Sequence, residues 1–300
     1  MTKFTGTYTA IVTPFKHGKI DEAALERLIK FQIKGGVDGI VPVGTTGESP
    51  TLDYDEHIRV VALAVKYAAG KIKVLAGTGA NSTSEAIDLT QRAEKAGADG
   101  SLQVAPYYNK PTQQGLFQHF HAIARATKLP IVLYSVPSRC GVEIGVETVN
   151  QLVHDSVNIV GIKEAGGNVD RVSQLRAALG PDFTILSGDD ALTLAFLAAG
   201  AHGVISVASN FIPYEISHLV RAYREGKPAI ALKLHDKYYR LFKDLFVETN
   251  PLGVKAALAM MNMMEEEFRL PLVPMTTKNR DALRKTLKAC GALKWVDSKA

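Results

Sequence analysis

The chain has 300 residues, of which 46% are hydrophobic and 22% are charged, a composition typical of a globular protein that buries about three quarters of its unfolded surface. The formal net charge of +5 comes from lysines and arginines that are dispersed along the chain, which argues against nucleic acid as a partner and leaves anionic small molecules as candidate substrates. Only two cysteines occur, Cys140 and Cys290, and the chain contains neither an apolar stretch of membrane-spanning length nor an apparent signal peptide, so we expect a cytoplasmic protein that makes no contact with a membrane.

Eight short apolar runs recur along the chain, and most of them do not alternate with polar residues, as expected for strands buried on both faces. They are YTAIVTPF (8–15), GIVPVG (39–44), IKVLAGTG (72–79), GSLQVAPYY (100–108), PIVLYSVP (130–137), NIVGIKEA (158–165), FTILSGDD (183–190) and HGVISVAS (202–209). Segments with a helical period lie between them, such as 21–36 and 81–97. The second of these begins with Ser82 and has Glu85 three residues later, which predicts a capping box.

One junction between a helical segment and an apolar run occurs three times. GGVDGI (35–40), AGADGS (96–101) and AGAHGV (199–204) each end a helical segment with glycine, which readily adopts the left-handed conformation found at helix ends. Eight strand–helix units over about 220 residues predict an α/β fold, a parallel (β/α)8 TIM barrel. An open doubly wound sheet is the alternative, but no G-x-G-x-x-G motif follows the first strand.

The pattern changes after about residue 225. The segments 228–246, 251–268 and 276–293 all have a helical period. We therefore predict two parts, a (β/α)8 barrel over residues 1–225 and a helical C-terminal appendix over residues 226–300.

Polar residues follow several of the apolar runs, at the points where strands of a barrel would end. They are Thr45 and Thr46, Tyr107 and Tyr108, Tyr134 and Arg139, and Lys163. The active site of a TIM barrel lies at this end of the strands, so hydroxyls, phenols, one guanidinium and one amine should meet around one mouth. No histidine pair or carboxylate cluster with metal-ligand spacing occurs there, and we predict no metal site.

Lys163 ends an apolar run with no turn residue directly before it. A primary amine in a nearly dry place is suited to Schiff-base chemistry, because the neutral amine is the nucleophile and an apolar surround favours that form. Attack on a ketone then gives an iminium, which makes the adjacent carbon acidic. The alternative is a lysine that reaches water and pairs with Glu164, although neighbouring residues of a strand point to opposite sides.

The other residues at the mouth can serve the same chemistry. Formation and dehydration of a carbinolamine need proton transfers, which Tyr134 can supply if Thr46 and Tyr108 hold its phenol in a hydrogen-bonded chain. Thr45 and Thr46, with the amides of their turn, could hold a carboxylate, and Arg139 could bind a second carboxylate through two hydrogen bonds. A packed ring is the plain alternative for any single tyrosine, and a surface charge is the alternative for the arginine.

Taken together, eight motifs resemble those of the dihydrodipicolinate synthases, within the superfamily of pyruvate-dependent class I aldolases that includes N-acetylneuraminate lyase. The motifs are TAIVTPF, GTTGES, AGTGAN, PYYNKPTQQG, YSVPSRCG, GIKEA, SGDD and GVISV. The resemblance extends from about Gly6 to the C-terminal helices. GTTGES and Arg139 point to the synthase branch, since the sialic acid lyases lack that arginine.

The resemblance implies a lyase of lysine and diaminopimelate biosynthesis. Lys163 would form a Schiff base with pyruvate, so that no separate cofactor is needed, and the enamine would condense with L-aspartate 4-semialdehyde to give 4-hydroxy-tetrahydrodipicolinate. Tyr134, Thr46 and Tyr108 would relay protons, with Tyr108 reaching into the site of a neighbouring subunit. The family implies a homotetramer built as a dimer of dimers.

The resemblance also assigns the binding residues. Thr45 and Thr46 would hold the pyruvate carboxylate, Arg139 would bind the carboxylate of the semialdehyde, and the backbones of Gly188 and Ile205 would help to line the site. Ser135 and Cys140 stand where the family usually has asparagine and threonine.

Many members of the family bind lysine as an inhibitor at a dimer interface. The matching residues here are Ser49, Pro50, Tyr54, His57, Asn81, Glu85 and Tyr107. Glu85 offers a carboxylate to an ammonium group, whereas Pro50 and Tyr54 replace the commonest alanine and histidine. We therefore predict that lysine binds.

Two other functions remain possible from the sequence. One is a sibling aldolase that acts on a sialic acid or a keto-deoxy sugar acid, for which a guanidinium at Arg139 would not be needed. The other is a non-catalytic lysine-sensing or scaffold protein. The presence of Lys163, Tyr134 and Thr46 together argues against it, because binding alone needs no proton relay.

Overall fold

The structure of the protein, a computed structural model, describes residues 4–295. Eight parallel strands close into a barrel, which confirms the predicted (β/α)8 fold and excludes the open sheet. The strands are β1 (Gly6–Ala10), β2 (Gly39–Val41), β3 (Lys73–Gly77), β4 (Gly100–Val104), β5 (Ile131–Ser135), β6 (Ile159–Glu164), β7 (Thr184–Ser187) and β8 (Gly203–Ser206). The barrel closes where β8 pairs with β1. A short antiparallel hairpin, Phe15–Lys16 with Lys19–Ile20, follows β1.

The strands are buried along nearly their whole length. Every residue of β1, β5, β7 and β8 is buried. One face of each strand packs inside the barrel and the other packs under the surrounding helices, so neither face needs polar residues. This double burial is the reason that the apolar runs are unbroken in the sequence.

The described residues form twelve α-helices. They are α1 (Glu22–Lys34), α2 (Tyr54–Ala68), α3 (Thr83–Lys95), α4 (Gln113–Arg125), α5 (Pro137–Cys140), α6 (Val146–Asp155), α7 (Asp170–Leu179), α8 (Thr193–Ala198), α9 (Pro213–Arg224), α10 (Pro228–Asp244), α11 (Leu252–Met260) and α12 (Thr277–Ala289). Short 3-10 turns occur at Ser49–Thr51, Ala208–Asn210 and Ala292–Trp295.

The three repeated junctions share one local structure. Their glycines at 36, 97 and 200 have φ values of 73°, 88° and 100°, as the sequence predicted. Two residues later in each junction, a side chain accepts a hydrogen bond from a backbone N–H of the adjacent strand that comes earlier in the chain. Asp38 accepts from Thr7 at 2.8 Å, Asp99 from Val74 at 2.7 Å, and His202 Nδ1 from Ile185 at 3.2 Å. The repeated motif therefore ties each incoming strand to the one beside it.

The capping box predicted at the start of α3 is wrong. Ser82 is the N-cap residue, but its side chain makes no cap hydrogen bond and instead lies 3.0 Å from the hydroxyl of Ser84. A complete capping box is found one helix earlier, where Asp53 and Glu56 bond each other's backbone at the start of α2. Serine competes for local partners outside the cap, which the spacing of Ser82 and Glu85 could not reveal.

The C-terminal helices pack against the barrel and one another. Helix α10 packs against α9 and α12, while α11 packs against α12 and the 3-10 turn that follows β8. The predicted division at residue 225 falls between the end of α9 and the start of α10; residues 1–3 and 296–300 of the two predicted parts lie outside the described residues. Within residues 4–295, no helix has both the length and the apolar character needed to cross a membrane.

Candidate active site

A cavity of about 280 Å³ opens at the carboxyl ends of the barrel strands. Its lining includes the predicted mouth residues Thr45, Thr46, Tyr134, Arg139 and Lys163, together with Gly188. The cavity also receives side chains from the C-terminal part of the chain, namely Phe242, Lys243, Phe246 and Asn250. The described barrel and appendix therefore build one site.

Lys163 lies near the end of β6, and its side chain is buried in this cavity. It is 7% exposed, and its Nζ lies 4.1 Å from the centroid of the Tyr134 ring. The contact follows from the strand pairing, since the two residues are register partners on β6 and β5. Gly188, at the end of β7, leaves room for the lysine, because a Cβ there would come within 3.0 Å of Lys163 Cε.

Glu164 is separated from the amine and has its own partners. Its fully buried carboxylate accepts a hydrogen bond from Arg171 Nη2 at 3.3 Å and another from the Gly166 N–H at 2.8 Å. Burial raises the pKa of Glu164, and the adjacent Arg171 opposes that shift. The alternative interpretation, in which Lys163 pairs with Glu164, is therefore not what the structure shows.

Thr46 is held by a residue that the sequence analysis did not identify. The Thr46 hydroxyl is buried and accepts a hydrogen bond from the side-chain amide of Asn250 at 2.9 Å. The Asn250 carbonyl also lies 3.4 Å from Arg139 Nη2. Asn250 thus links the two residues predicted to bind carboxylates. The only sequence signal for it is the Asn-Pro pair at 250–251, which indicates a turn between helices.

Arg139 lies on the short helix α5, at the entrance of the cavity. Its helix is attached to the barrel by the two residues that depart from the family pattern. The Ser135 hydroxyl accepts the Ile144 N–H at 3.4 Å, and Cys140 Sγ lies 3.1 Å from the carbonyl oxygen of Ala105. Both residues therefore make contacts that support the arginine loop.

Tyr108 and Ile205 do not line this cavity, among the residues that the structure describes. Tyr108 is 91% exposed, and its backbone has a φ of 73°. Ile205 is fully buried within β8, and Val207, two residues later, lines the cavity instead.

A second cavity of about 210 Å³ adjoins the first and contains part of the predicted lysine site. It is lined by Ser49, Pro50 and Tyr107, and it shares Thr45 and Tyr134 with the first cavity. The two candidate sites therefore have common walls.

The other predicted lysine-binding residues lie around α2 and α3. Glu85 raises the pKa of the exposed Tyr54 phenol. Asn81 donates to the carbonyl of Tyr107 at 3.2 Å. His57 is buried with Nε2 2.8 Å from the Gly77 carbonyl, and burial lowers its pKa. Glu85 is the one carboxylate among the seven residues predicted to bind lysine.

In the described part of the chain, no three histidine, cysteine or carboxylate side chains are close enough together to hold a metal ion. The polar groups in the cavity are instead two amines, a guanidinium, hydroxyls, a phenol, the Asn250 amide and one carboxylate, that of Asp189. Such groups suit covalent chemistry on a carbonyl and the binding of carboxylates.

Comparisons with known proteins agree with this geometry. The model of the dihydrodipicolinate synthetase family matches residues 3–290. The structure of the 4-hydroxy-tetrahydrodipicolinate synthase from Methylacidiphilum fumariolicum SolV is 59% identical, covers 99% of each chain and has a TM-score of 0.96. The chloride-inhibited dihydrodipicolinate synthase from Acinetobacter baumannii, complexed with pyruvate, is 43% identical with a TM-score of 0.94, covering 97% of this chain and 100% of that one. The enzyme from Cyanidioschyzon merolae with lysine bound is 44% identical with a TM-score of 0.94, covering 97% of this chain and 99% of that one. The chain belongs to the dihydrodipicolinate synthetase family.

Proposed function

We propose that the protein is a lyase that condenses pyruvate with L-aspartate 4-semialdehyde to give 4-hydroxy-tetrahydrodipicolinate. The observation that carries the proposal is the buried amine of Lys163, which faces a cavity lined by hydroxyls and a guanidinium in a chain of this family. The reaction needs no separate cofactor, because the lysine itself supplies the electron sink. Such an enzyme acts in lysine and diaminopimelate biosynthesis, in the cytoplasm.

The chemistry proceeds through a Schiff base on Lys163. The neutral amine attacks the keto carbon of pyruvate, and loss of water gives an iminium. A proton then leaves the methyl carbon, and the resulting enamine forms a carbon–carbon bond with the aldehyde carbon of the second substrate. The amino group of that substrate attacks the iminium carbon, which closes the ring and releases the lysine as a free amine.

The position of Tyr134 supports a role in moving the protons of these steps. The centroid of its ring lies 4.1 Å from Lys163 Nζ, and it borders the same cavity as Thr46. We assign the relay to Tyr134, Thr46 and Tyr108, of which only Tyr108 lies outside the cavity of its own chain.

The exposure of Tyr108 supports a role across a subunit boundary. Tyr108 is 91% exposed on a backbone held at a φ of 73°, and packing within residues 4–295 does not account for this conformation. We propose a homotetramer, built as a dimer of dimers, in which Tyr108 completes the relay of the neighbouring subunit.

Two carboxylates are recognised at different depths of the cavity. Thr45 and Thr46, with the amides of their turn, hold the carboxylate of pyruvate. Arg139, at the entrance, binds the carboxylate of the semialdehyde. A polyhydroxylated aldehyde would not use this guanidinium, so Arg139 favours the condensation over the cleavage of a sugar acid.

Lysine binds as a feedback inhibitor at the predicted site, which extends from the second cavity to the predicted residues around α2 and α3 that lie outside the lining of that cavity. The Glu85 carboxylate meets its ammonium group, and Ser49, Pro50, Asn81 and Tyr107 surround it. The wall shared with the catalytic cavity supports a regulatory role, since Thr45 and Tyr134 border both. In calorimetry, Glu85→Gln should weaken lysine binding at least about tenfold, as loss of a charged hydrogen bond requires, whereas Asp88→Asn, an exposed carboxylate on the same helix, should not. Equal binding by wild type and both variants would contradict this site.

The condensation is tested by following pyruvate-dependent consumption of aspartate 4-semialdehyde, coupled to dihydrodipicolinate reductase and NADPH. Turnover by the wild type that vanishes in Lys163→Ala would establish the substrate pair and the nucleophile. Borohydride with pyruvate should add a pyruvate-derived group to Lys163 of the wild type and leave Lys163→Ala unmodified. A folded wild type without turnover would exclude this substrate pair, and a wild type without trapping would exclude the Schiff base.

A further inference from the structure

The turn that follows β2 is held in an unfavourable backbone conformation. Val43 has a φ of 51° and Glu48 a φ of 55°, both in the left-handed region. A residue other than glycine is unfavourable in this region and persists only where its surroundings hold it. Gly44, Thr45 and Thr46, which lie between the two, line the catalytic cavity. The contacts of Glu48 therefore bear on the shape of the site.

Glu48 forms an ion pair that is entirely shielded from solvent. Its carboxylate pairs with the ammonium of Lys255 on α11, and both side chains are fully buried. The ammonium also donates to the carbonyl of Glu267 at 2.9 Å and lies 4.4 Å from the centroid of the Phe15 ring. Burial lowers the pKa of Lys255, and Glu48 opposes that shift. Removing either partner would leave the other charge buried without its nearest counter-charge, which is strongly destabilising.

The turn is held at a second point by the same segment, residues 250–255, which comprises the start of α11 and the loop before it. Asn250 donates to the Thr46 hydroxyl at 2.9 Å, and Lys255 pairs with Glu48. Only Gly47 separates the two anchored residues. A Cβ on Gly47 would lie 2.9 Å from the Val43 backbone nitrogen, so the turn has little space to rearrange while both anchors are in place.

We propose that Lys255 is a positioning residue for the condensation, acting through Glu48 on the turn that receives the pyruvate carboxylate. This inference rests on the proposed function. Without the Lys255 charge, Glu48 leaves its left-handed conformation, and the hydroxyls and amides at Thr45 and Thr46 lose their alignment. Lys163 lies on β6, outside this turn, so the amine is still trapped fully once pyruvate is bound, although a misaligned Thr46 also slows the proton relay in which it takes part.

The test measures borohydride trapping of Lys163 over a range of pyruvate concentrations. The variants are Lys255→Met, Glu48→Gln and the double variant, each with its melting temperature. Both single variants should raise the half-saturating pyruvate concentration about tenfold or more, because each loses one charge-assisted contact. Both should still be fully trapped at saturating pyruvate. The double variant should regain melting temperature, since it buries no unpaired charge, but should keep the raised pyruvate requirement.

Arg280→Met is the matched control. Arg280 pairs with Glu266 at 2.7 Å within the C-terminal region, and its side chain does not hydrogen-bond or pair with the turn within residues 4–295. This variant should melt at a lower temperature with an unchanged pyruvate requirement. If Lys255→Met does not fold, the pyruvate requirement and melting temperature are compared between Glu48→Gln and the double variant instead.

Three outcomes would overturn the inference. They are an unchanged pyruvate requirement in both single variants, recovery of the wild-type requirement in the double variant, and an equal rise in Arg280→Met, which would indicate general loosening. Absence of trapping in the wild type would instead overturn the proposed function, and this inference with it.

Discussion

Lys163 and Glu164 are neighbours on β6, yet their side chains enter separate environments. The amine lies 4.1 Å from the centroid of the Tyr134 ring in the cavity, whereas the carboxylate receives a hydrogen bond from Arg171 at 3.3 Å. The alternation of side chains along a strand produces this separation. The carboxylate therefore stabilises the wall of the site and does not form an ion pair with the nucleophilic amine.

Glu164→Gln should therefore destabilise the protein and spare the nucleophile. The variant leaves Arg171, whose side chain is 6% exposed, with only the exposed Glu143 at 3.7 Å as a counter-charge, and breaking a buried pair costs up to about 3–5 kcal/mol. The melting temperature should fall, while borohydride trapping of pyruvate on Lys163 persists below the transition. Glu147→Gln, an exposed carboxylate on α6, should change neither. Loss of trapping in folded Glu164→Gln would mean that Glu164 acts on the amine directly.

The barrel and the position of Lys163 could be predicted from the sequence because both depend on local patterns. Buried strands leave unbroken apolar runs, and the end of a run fixes where Lys163, Tyr134 and Thr46 lie. Asn250 could not be predicted in this way. It follows Thr46 by 204 residues and lies in a loop between two helices of the appendix. No periodicity connects two such distant segments, and only the packing of α10 and α11 onto the barrel brings them together.

The Lys255–Glu48 pair escaped prediction for a related reason. Lys255 lies within an apolar helical segment, where a lysine is usually expected to reach water through its long side chain. The described structure instead buries it completely against Glu48 and the Phe15 ring. A sequence states the charge of such a residue but not the partner that allows its burial.

The hydrogen bond between Asn250 and Thr46 predicts a clear difference between two substitutions. Thr46→Val keeps the shape of the side chain but removes the acceptor, so the buried Asn250 amide loses its partner at a cost of about 1–3 kcal/mol. The value of kcat/KM for pyruvate should fall by about a hundredfold, in the range of a lost proton-transfer group. Thr46→Ser keeps the hydroxyl and should retain most of the activity. Equal activity in the valine and serine variants would contradict a role for this hydroxyl.

Tyr108 offers a test of catalysis across the subunit boundary. Tyr108→Phe should lower kcat by about a hundredfold while Lys163 is still trapped by pyruvate. Lys163→Ala supplies an intact Tyr108 but no nucleophile. When the two inactive variants are unfolded, mixed in equal amounts and refolded together, random pairing should restore about a quarter of the wild-type sites.

The separately refolded variants, mixed only afterwards, are the control and should stay inactive. If Tyr108 served its own subunit, co-refolding would restore nothing, since every chain carries one defect. The size of the recovery therefore distinguishes a shared site from a self-contained one without any structure of the assembly.

Asp190 predicts how the stability of the barrel depends on pH. Its buried carboxylate accepts the backbone N–H groups of Val207 at 3.0 Å and Ala208 at 2.9 Å, which ties the end of β7 to the segment after β8. Burial, opposed in part by these hydrogen bonds, raises the pKa of Asp190 to about 6. In the unfolded chain the same carboxyl has a pKa of about 3.9. Between these two values the folded protein binds more protons than the unfolded chain.

The contribution of Asp190 to stability must therefore fall as the pH rises from about 4 to about 6, by up to about 3 kcal/mol. Asp190→Asn cannot ionise and keeps an oxygen that can accept the two N–H groups of Val207 and Ala208. The melting temperature of Asp190→Asn should therefore rise relative to that of the wild type as the pH increases from about 4.5 to about 7.5. Groups that titrate in both proteins affect both melting temperatures and do not change this comparison. A difference that stays constant over this range, or that moves in favour of the wild type, would show that the Asp190 carboxylate is ionised in the folded barrel throughout.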